Sequence, residues 1–144
     1  MIAGVLANIK PMTLFLNPSE NSYLRLGQHK APAYVSWSAE NRSQLVRIPA
    51  AAGEYRRMEL RSPDPAANPY LAFALMIYAG LEGIKKKLPL GEAADLNLYK
   101  ADPQTLSAFE KLPETYQAAC TAALESDFIK THIPSDILDI YGRA

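Results

Sequence analysis

Residues 70–81, reading Tyr-Leu-Ala-Phe-Ala-Leu-Met-Ile-Tyr-Ala-Gly-Leu, form the longest apolar run of the chain, and both of its ends are marked. Asn68 precedes it as an acceptor for the first free helical N–H groups, and Pro69 suits a first helical position that needs no donor. Lys85, Lys86 and Lys87 follow it, where the helix macrodipole favours cations. The run therefore predicts a helix from Pro69 to about Lys87. Being apolar on nearly every side, it is expected to pack in a domain interior. It is too short for a bilayer span of about 20 residues.

The other segments must pack around that helix. Residues 1–16 place Ile2, Val5, Leu6, Ile9, Leu14 and Leu16 at helical spacing, with no capping residue before them. Residues 17–22 supply turn formers in succession, which predicts a loop. Residues 34–37 and 44–48 carry β-formers on either side of a polar turn at 39–43, which predicts a hairpin. Residues 55–61 predict a third strand, with Arg57, Glu59 and Arg61 on one face and Arg56, Met58 and Leu60 on the other. A loop is expected over 88–100, helices over 104–111 and 114–124, and two short helices capped by Ser126 and Ser135. The fold class that results is α+β, an antiparallel sheet with helices packed on it. The uncapped start and a last helix that runs to the final residue predict a piece of a longer protein. Residues 1–144 are expected to form one portion of a domain with no separate second one.

Charge narrows the function. Lysine plus arginine equals aspartate plus glutamate at 15 each, so no global field draws the chain to nucleic acid or to an anionic membrane. Yet six of the seven arginines fall between Arg25 and Arg61, in a stretch holding a single lysine, Lys30. Solubility could use either cation, whereas two-point recognition of carboxylate or phosphate needs the planar guanidinium fork. The stretch reads as a local anion site, against the plainer reading of a solvated sheet face in which Glu59 bridges two arginines. A single cysteine, Cys120, placed on a helix as a small buried thiol, leaves no internal disulfide framework and suits the cytosol. His29 and His132 form no metal cluster or catalytic dyad.

The ordered string Asn21-Ser22-Tyr23, Arg25-Leu26, Asn41-Arg42-Ser43, Arg47-Ile48-Pro49, Arg57, Glu59, Arg61 and 63–71 resembles the C-terminal part of the bacterial type I glutamine synthetase catalytic domain. The resemblance spans nearly the whole chain. It implies the second half of that catalytic domain, and a parent enzyme in which ATP phosphorylates the side-chain carboxylate of glutamate before ammonia displaces the phosphate. By the same likeness Arg25 and Arg61 hold the amino-acid substrate, with Arg61 on its α-carboxylate. Arg42 faces the transferring phosphoryl group, and Arg47 and Arg57 contact nucleotide phosphates. Glu59 is a ligand of the nucleotide-side Mg²⁺ or Mn²⁺. Tyr99 matches a tyrosine that some members adenylylate. The implied partners are glutamate and ATP, in a cytoplasmic homo-oligomer of double-ring form.

One position departs from the family. Where type I enzymes carry a glutamate on the flap before Ala31-Pro32, this chain has Gly27-Gln28-His29-Lys30. A lysine repels ammonium. The acceptor is left open between ammonia and another amine, and a non-catalytic nucleotide- or anion-binding module remains a third reading. Lacking the family's upstream carboxylates, histidine and N-terminal domain, the chain is expected to be inactive alone.

Overall fold

The structure is a computed structural model that describes residues 1–28 and 30–143. Its spine is helix α1 (Ile2–Leu16), packed on one side against α3 (Pro69–Lys85) and on the other against α5 (Tyr116–Glu125). Val5, Ile9, Met12, Leu14, Phe15 and Leu16 of α1 are fully buried and meet Leu75 and Ala79 of α3 and Ala119 and Ala123 of α5 in one core. Small residues set the closeness of the α1–α3 crossing. A Cβ added at Gly83 would lie 2.6 Å from the Gly4 backbone, so the two helices touch main chain to main chain. Pro11 lies inside α1. It removes one i to i−4 hydrogen bond, and the helix continues because its buried face is held on both sides.

Cap chemistry explains most helix boundaries. The Asn68 side chain accepts from the N–H groups of Tyr70 and Leu71, as expected for the start of α3. Thr115 caps α5 and Ser126 caps α6 (Asp127–His132). Ser135 is not a cap: it is the first residue of α7 (Ser135–Gly142), and Pro134 holds the cap position without a side-chain acceptor. The segment read as a loop at 17–22 instead begins a six-residue helix, α2 (Glu20–Arg25), with Ser19 at the cap position. The helix expected over 104–111 shrinks to α4 (Pro103–Leu106), started by Asp102. Residues 107–109 continue as turns, and the end of the segment is drawn into strand-like pairing, with Val35 N–H donating to the Glu110 carbonyl and Leu112 N–H to that of Ala33.

The sheet has three two-residue strands in the order β1 (Trp37–Ser38), β2 (Val46–Arg47) and β3 (Glu59–Leu60). The expected hairpin is not formed, because β1 and β2 pair in parallel. The reason is local. The Ser38 hydroxyl accepts from the N–H groups of Glu40 and Asn41, and Asn41 Oδ1 from that of Ser43, so the loop doubles back before β2 begins. Strand β3 is antiparallel to β2, and a 3₁₀ turn at Gly53–Tyr55 takes up the start of the expected third strand. The sheet is thus mixed, while the α+β class stands. Helix α3 also differs from expectation: one face is buried on α1, and the opposite face carries exposed Tyr70, Phe73, Ile77, Leu81 and Ile84.

Candidate functional site

The β2–β3 register sets Arg47 opposite Glu59, and the strand period puts Arg61 on the same side as Glu59. The three side chains close into a clamp. Glu59 Oε2 accepts from Arg47 Nη2 at 2.6 Å and Nε at 3.2 Å, and Oε1 accepts from Arg61 Nε at 3.1 Å. The guanidiniums are mostly covered, at 18% and 13% side-chain exposure, while the carboxylate is 40% exposed. Hydrogen bonding from Arg47 is the main cause that holds the Glu59 carboxyl below the usual carboxylate range, and Arg61 adds to it.

Arg61 is also wired to the backbone of two loops. Its Nη1 donates to the Arg42 carbonyl and, at 3.5 Å, to that of Gln44, and its Nη2 donates to the Lys30 carbonyl at 3.1 Å. Lys30 adopts φ 69°, a left-handed conformation uncommon for a residue with a side chain, and its own side chain is exposed. Residue 30 is therefore tied to Arg61 through main chain, while its side chain is exposed. His29 of the same segment lies outside the described residues.

Arg25 ends α2 and sits between the end of α1 and the chain just past Arg61. Its Nη2 donates to Asn17 Oδ1 at 3.2 Å and to the Ser62 carbonyl, and its Nε lies 3.6 Å from Asp64 Oδ2. Asn17 and Ser62 are fully buried there. Arg42 is exposed at the rim. Arg56 and Arg57 are exposed as well, and Arg57 Nη1 donates to the Tyr55 carbonyl at 3.3 Å. Residues 56–58 carry no strand pairing, so the shared charged face expected for 57, 59 and 61 is built from Arg47, Glu59 and Arg61 instead.

The loop at 88–100 is part of the site, which sequence reading did not anticipate. Gln44 is fully buried, and its Nε2 donates to the carbonyls of Ala94 and Leu96, each at 2.7 Å. The Ser43 hydroxyl accepts from Leu98 N–H at 2.9 Å, and that of Ser38 donates to Asp95 Oδ1 at 2.7 Å. The Tyr99 hydroxyl donates to the Arg42 carbonyl at 3.3 Å, the oxygen that Arg61 also uses, and partial burial raises the pKa of its phenol. The signal lay in Ser43 and Gln44, two polar residues between apolar β-formers and the arginines. Beside them a cavity of about 190 Å³ is lined by Gly27, Ala33, Tyr34, Ser43, Leu98, Tyr99 and Leu106.

Two further residues lie away from the clamp, and Cys120 is the small buried helical thiol that the sequence predicts. His132 stacks on Tyr78 with ring centroids 4.1 Å apart and meets Phe128 edge-on. Cys120 is buried, which pushes its thiol pKa up, away from nucleophilic character. Among the described residues no group of three or more histidine, cysteine, aspartate or glutamate side chains could hold a metal ion. Glu59 alone offers one carboxylate already bonded to two guanidiniums. These residues by themselves do not make a metal site.

With two guanidiniums around one carboxylate, the Arg47–Glu59–Arg61 clamp keeps one excess positive charge, and Arg42 lies exposed on the loop that Arg61 holds. The model of the glutamine synthetase catalytic domain family matches residues 1–144. The chain belongs to that family. Among curated proteins it is 44% identical to the glutamine synthetase of Methanosarcina mazei, over 97% of this chain and 32% of that protein. It is 43% identical to the glutamine synthetase of Staphylococcus aureus, over 94% of this chain and 31% of that protein. A solved GmaS/ADP complex in conformation 1 superposes with a TM-score of 0.85 at 30% identity, covering 99% of this chain and 33% of the other. The chain thus spans about a third of the length of the relatives it matches. Among the described residues no helix is long and apolar enough to cross a membrane.

Proposed function

We propose that this chain supplies the anion-handling arginines of an ATP-dependent carboxylate–amine ligase of the glutamine synthetase type, converting glutamate to glutamine through γ-glutamyl phosphate. The observation that carries the reading is the Arg47–Glu59–Arg61 clamp, built across paired strands and joined through the Arg42 carbonyl to the exposed Arg42. Phosphoryl transfer asks a protein mainly for positioning and for cations around spread negative charge. In this role Arg42 stabilises the phosphoryl group in flight, and Arg47 and Arg57 attract nucleotide phosphates. Arg61, with Arg25 beside it, orients the amino acid. Among the described residues the Arg61 guanidinium bonds Glu59 and the carbonyls of Arg42, Gln44 and Lys30, so a two-point grip on a carboxylate requires the Lys30 carbonyl to give way. The family resemblance and the neighbour's ADP support ATP as the nucleotide. A divalent Mg²⁺ or Mn²⁺ would neutralise its phosphates, with Glu59 giving one carboxylate and the other ligands coming from the nucleotide and from outside this chain.

Lys30 favours a second reading for the acceptor. Its exposed cation at the flap opposes ammonium, which suits a ligase of glutamate with another amine. Cytoplasmic location and a homo-oligomeric ring belong to the same proposal. The test replaces the matching third of the Methanosarcina mazei relative with this chain and measures product with ammonia and with a panel of primary amines. Arg42→Ala should lower turnover on the order of 10³-fold, the scale of an arginine acting on a transferring phosphoryl group, while Arg56→Ala should not. Full activity of the Arg42→Ala chimera refutes the assignment, and glutamine made by the purified 144-residue chain alone refutes its dependence on the remainder.

A further inference from the structure

Two carbonyls of the 88–100 loop, those of Ala94 and Leu96, converge on a single nitrogen, Gln44 Nε2. Residues 94–98 lie in neither helix nor strand, so their place depends on bonds to the segment opposite. Ala94 N–H donates to the Trp37 carbonyl at 2.8 Å, Leu98 N–H to the Ser43 hydroxyl, and Gln44 holds the carbonyls between them. The Gln44 amide can face only one way. Turned over, its oxygen would point at two carbonyl oxygens with no donor between them. As placed, Nε2 serves both carbonyls while the buried Oε1 has no partner among the described residues. A buried amide that leaves its acceptor unmatched, at a cost in stability, is held there by its donors.

Arg42 is the residue that this latch steadies. Ser43 and Gln44 follow it directly in the chain and are buried, whereas Arg42 itself is exposed. On its other side Asn41 Oδ1 accepts from the Ser43 N–H and hydroxyl, each at 2.9 Å, which closes the backbone around Arg42 into a turn. A long side chain loses rotamer freedom on ordering, and a fixed Cα limits the volume its guanidinium sweeps. We propose that Gln44 is a positioning residue for the ligase reaction: its grip on the Ala94 and Leu96 carbonyls fixes the backbone of Arg42, and so the reach of that guanidinium to the transferring phosphoryl group. This role rests on the assignment of Arg42 to that group under the proposed function. A misplacement of ~1 Å at a reacting centre can cost about 10²-fold in rate, so a side chain that never touches substrate governs turnover. Substrate binding is spared, because Arg61 keeps its bonds to Glu59 and to the Lys30 carbonyl.

The test uses Gln44→Met, which matches glutamine in length and lacks its donors, and Ser43→Ala, a smaller change that removes the acceptor of the Leu98 N–H. In the 144-residue chain, hydrogen exchange at the Leu98 and Ser43 amides should speed up on the order of tenfold, the scale of one hydrogen bond lost, with the amides of α1 and α5 unchanged. In the chimera with the Methanosarcina mazei relative, Gln44→Met should lower kcat on the order of 10²-fold with KM for glutamate and ATP unchanged. Added to Arg42→Ala it should cause no further loss, because both changes act through one guanidinium. Thr115→Ala, which removes the cap of α5, should leave kcat unchanged and so separates positioning from plain stability.

Unaltered exchange at Leu98, a raised KM at full kcat, an equal kcat loss from Thr115→Ala, or a Gln44→Met loss that multiplies onto that of Arg42→Ala would each refute this role for Gln44 alone. A fully active Arg42→Ala chimera instead removes the proposed function, and this role with it. Should Gln44→Met fail to fold, Ser43→Ala carries both arms with the same expected directions.

Discussion

Replacing Glu59 by alanine tests the central clamp. The carboxylate accepts three charge-assisted hydrogen bonds, two from Arg47 and one from Arg61. Its removal leaves two guanidiniums facing each other across β2 and β3. Breaking a fully buried pair costs about 3–5 kcal/mol, and an exposed pair contributes about 0.2–1 kcal/mol. With the arginine side chains 18% and 13% exposed but the carboxylate 40% exposed, solvent screens part of the interaction. The expected cost is about 2 kcal/mol, midway between those limits. For a chain of this size each kcal/mol lowers Tm by about 4 °C, which gives a drop of about 8 °C by circular dichroism. Glu59→Gln keeps an acceptor and should lose about half as much. The effect depends on pH in a defined sense. Because the folded pKa of Glu59 is lowered, its stabilisation is present above the ordinary carboxylate range and is lost as pH falls through the folded value. The gap between the native chain and Glu59→Gln should therefore be constant near neutrality and close under acid. A Glu59→Ala chain melting within about 2 °C of the native one at neutral pH would refute the reasoning.

Other substitutions examine separate parts of the structure. Gly83→Ala would push a methyl into the Gly4 backbone and should destabilise by about 1–3 kcal/mol in urea unfolding, whereas Gly91→Ala, with nothing within 4 Å, should be neutral. Gln44→Ala leaves the Ala94 and Leu96 carbonyls without their donor and should cost about 2–4 kcal/mol. Limited proteolysis should then cut first within 88–100, and unchanged protection of that loop would contradict its latching by Gln44. Asn68→Ala removes the acceptor for two helical N–H groups and should lower stability by about 1 kcal/mol, with Asn68→Asp retaining most of it.

Local chemistry was legible wherever a residue's neighbours in sequence are also its neighbours in space. Asn68-Pro69 placed the start of α3, and Ser126 that of α6, because a cap acts within three residues. The segregation of arginine from lysine marked the site for a similar reason, since guanidinium geometry is a property of the side chain itself. The α+β class followed from the order of periodic segments.

Long-range pairing was not legible. The parallel β1–β2 pairing depends on Ser38 and Asn41 folding the loop back, and the expected helix at 104–111 lost Glu110 and Lys111 to pairing with the segment around Tyr34, dozens of positions away. No short window contains those partners, and tertiary hydrogen bonds override weak local preference. The same holds at the site. The sequence by itself determined that the arginines gather between Arg25 and Arg61 and that helix α3 begins at Asn68-Pro69. Only the tertiary structure decided that Arg47, rather than Arg57, joins Glu59 and Arg61, and that Tyr99 meets the Arg42 loop. It also decided that α3, apolar on nearly every side, buries just one face, because burial depends on what is available to cover a surface and composition does not specify the cover.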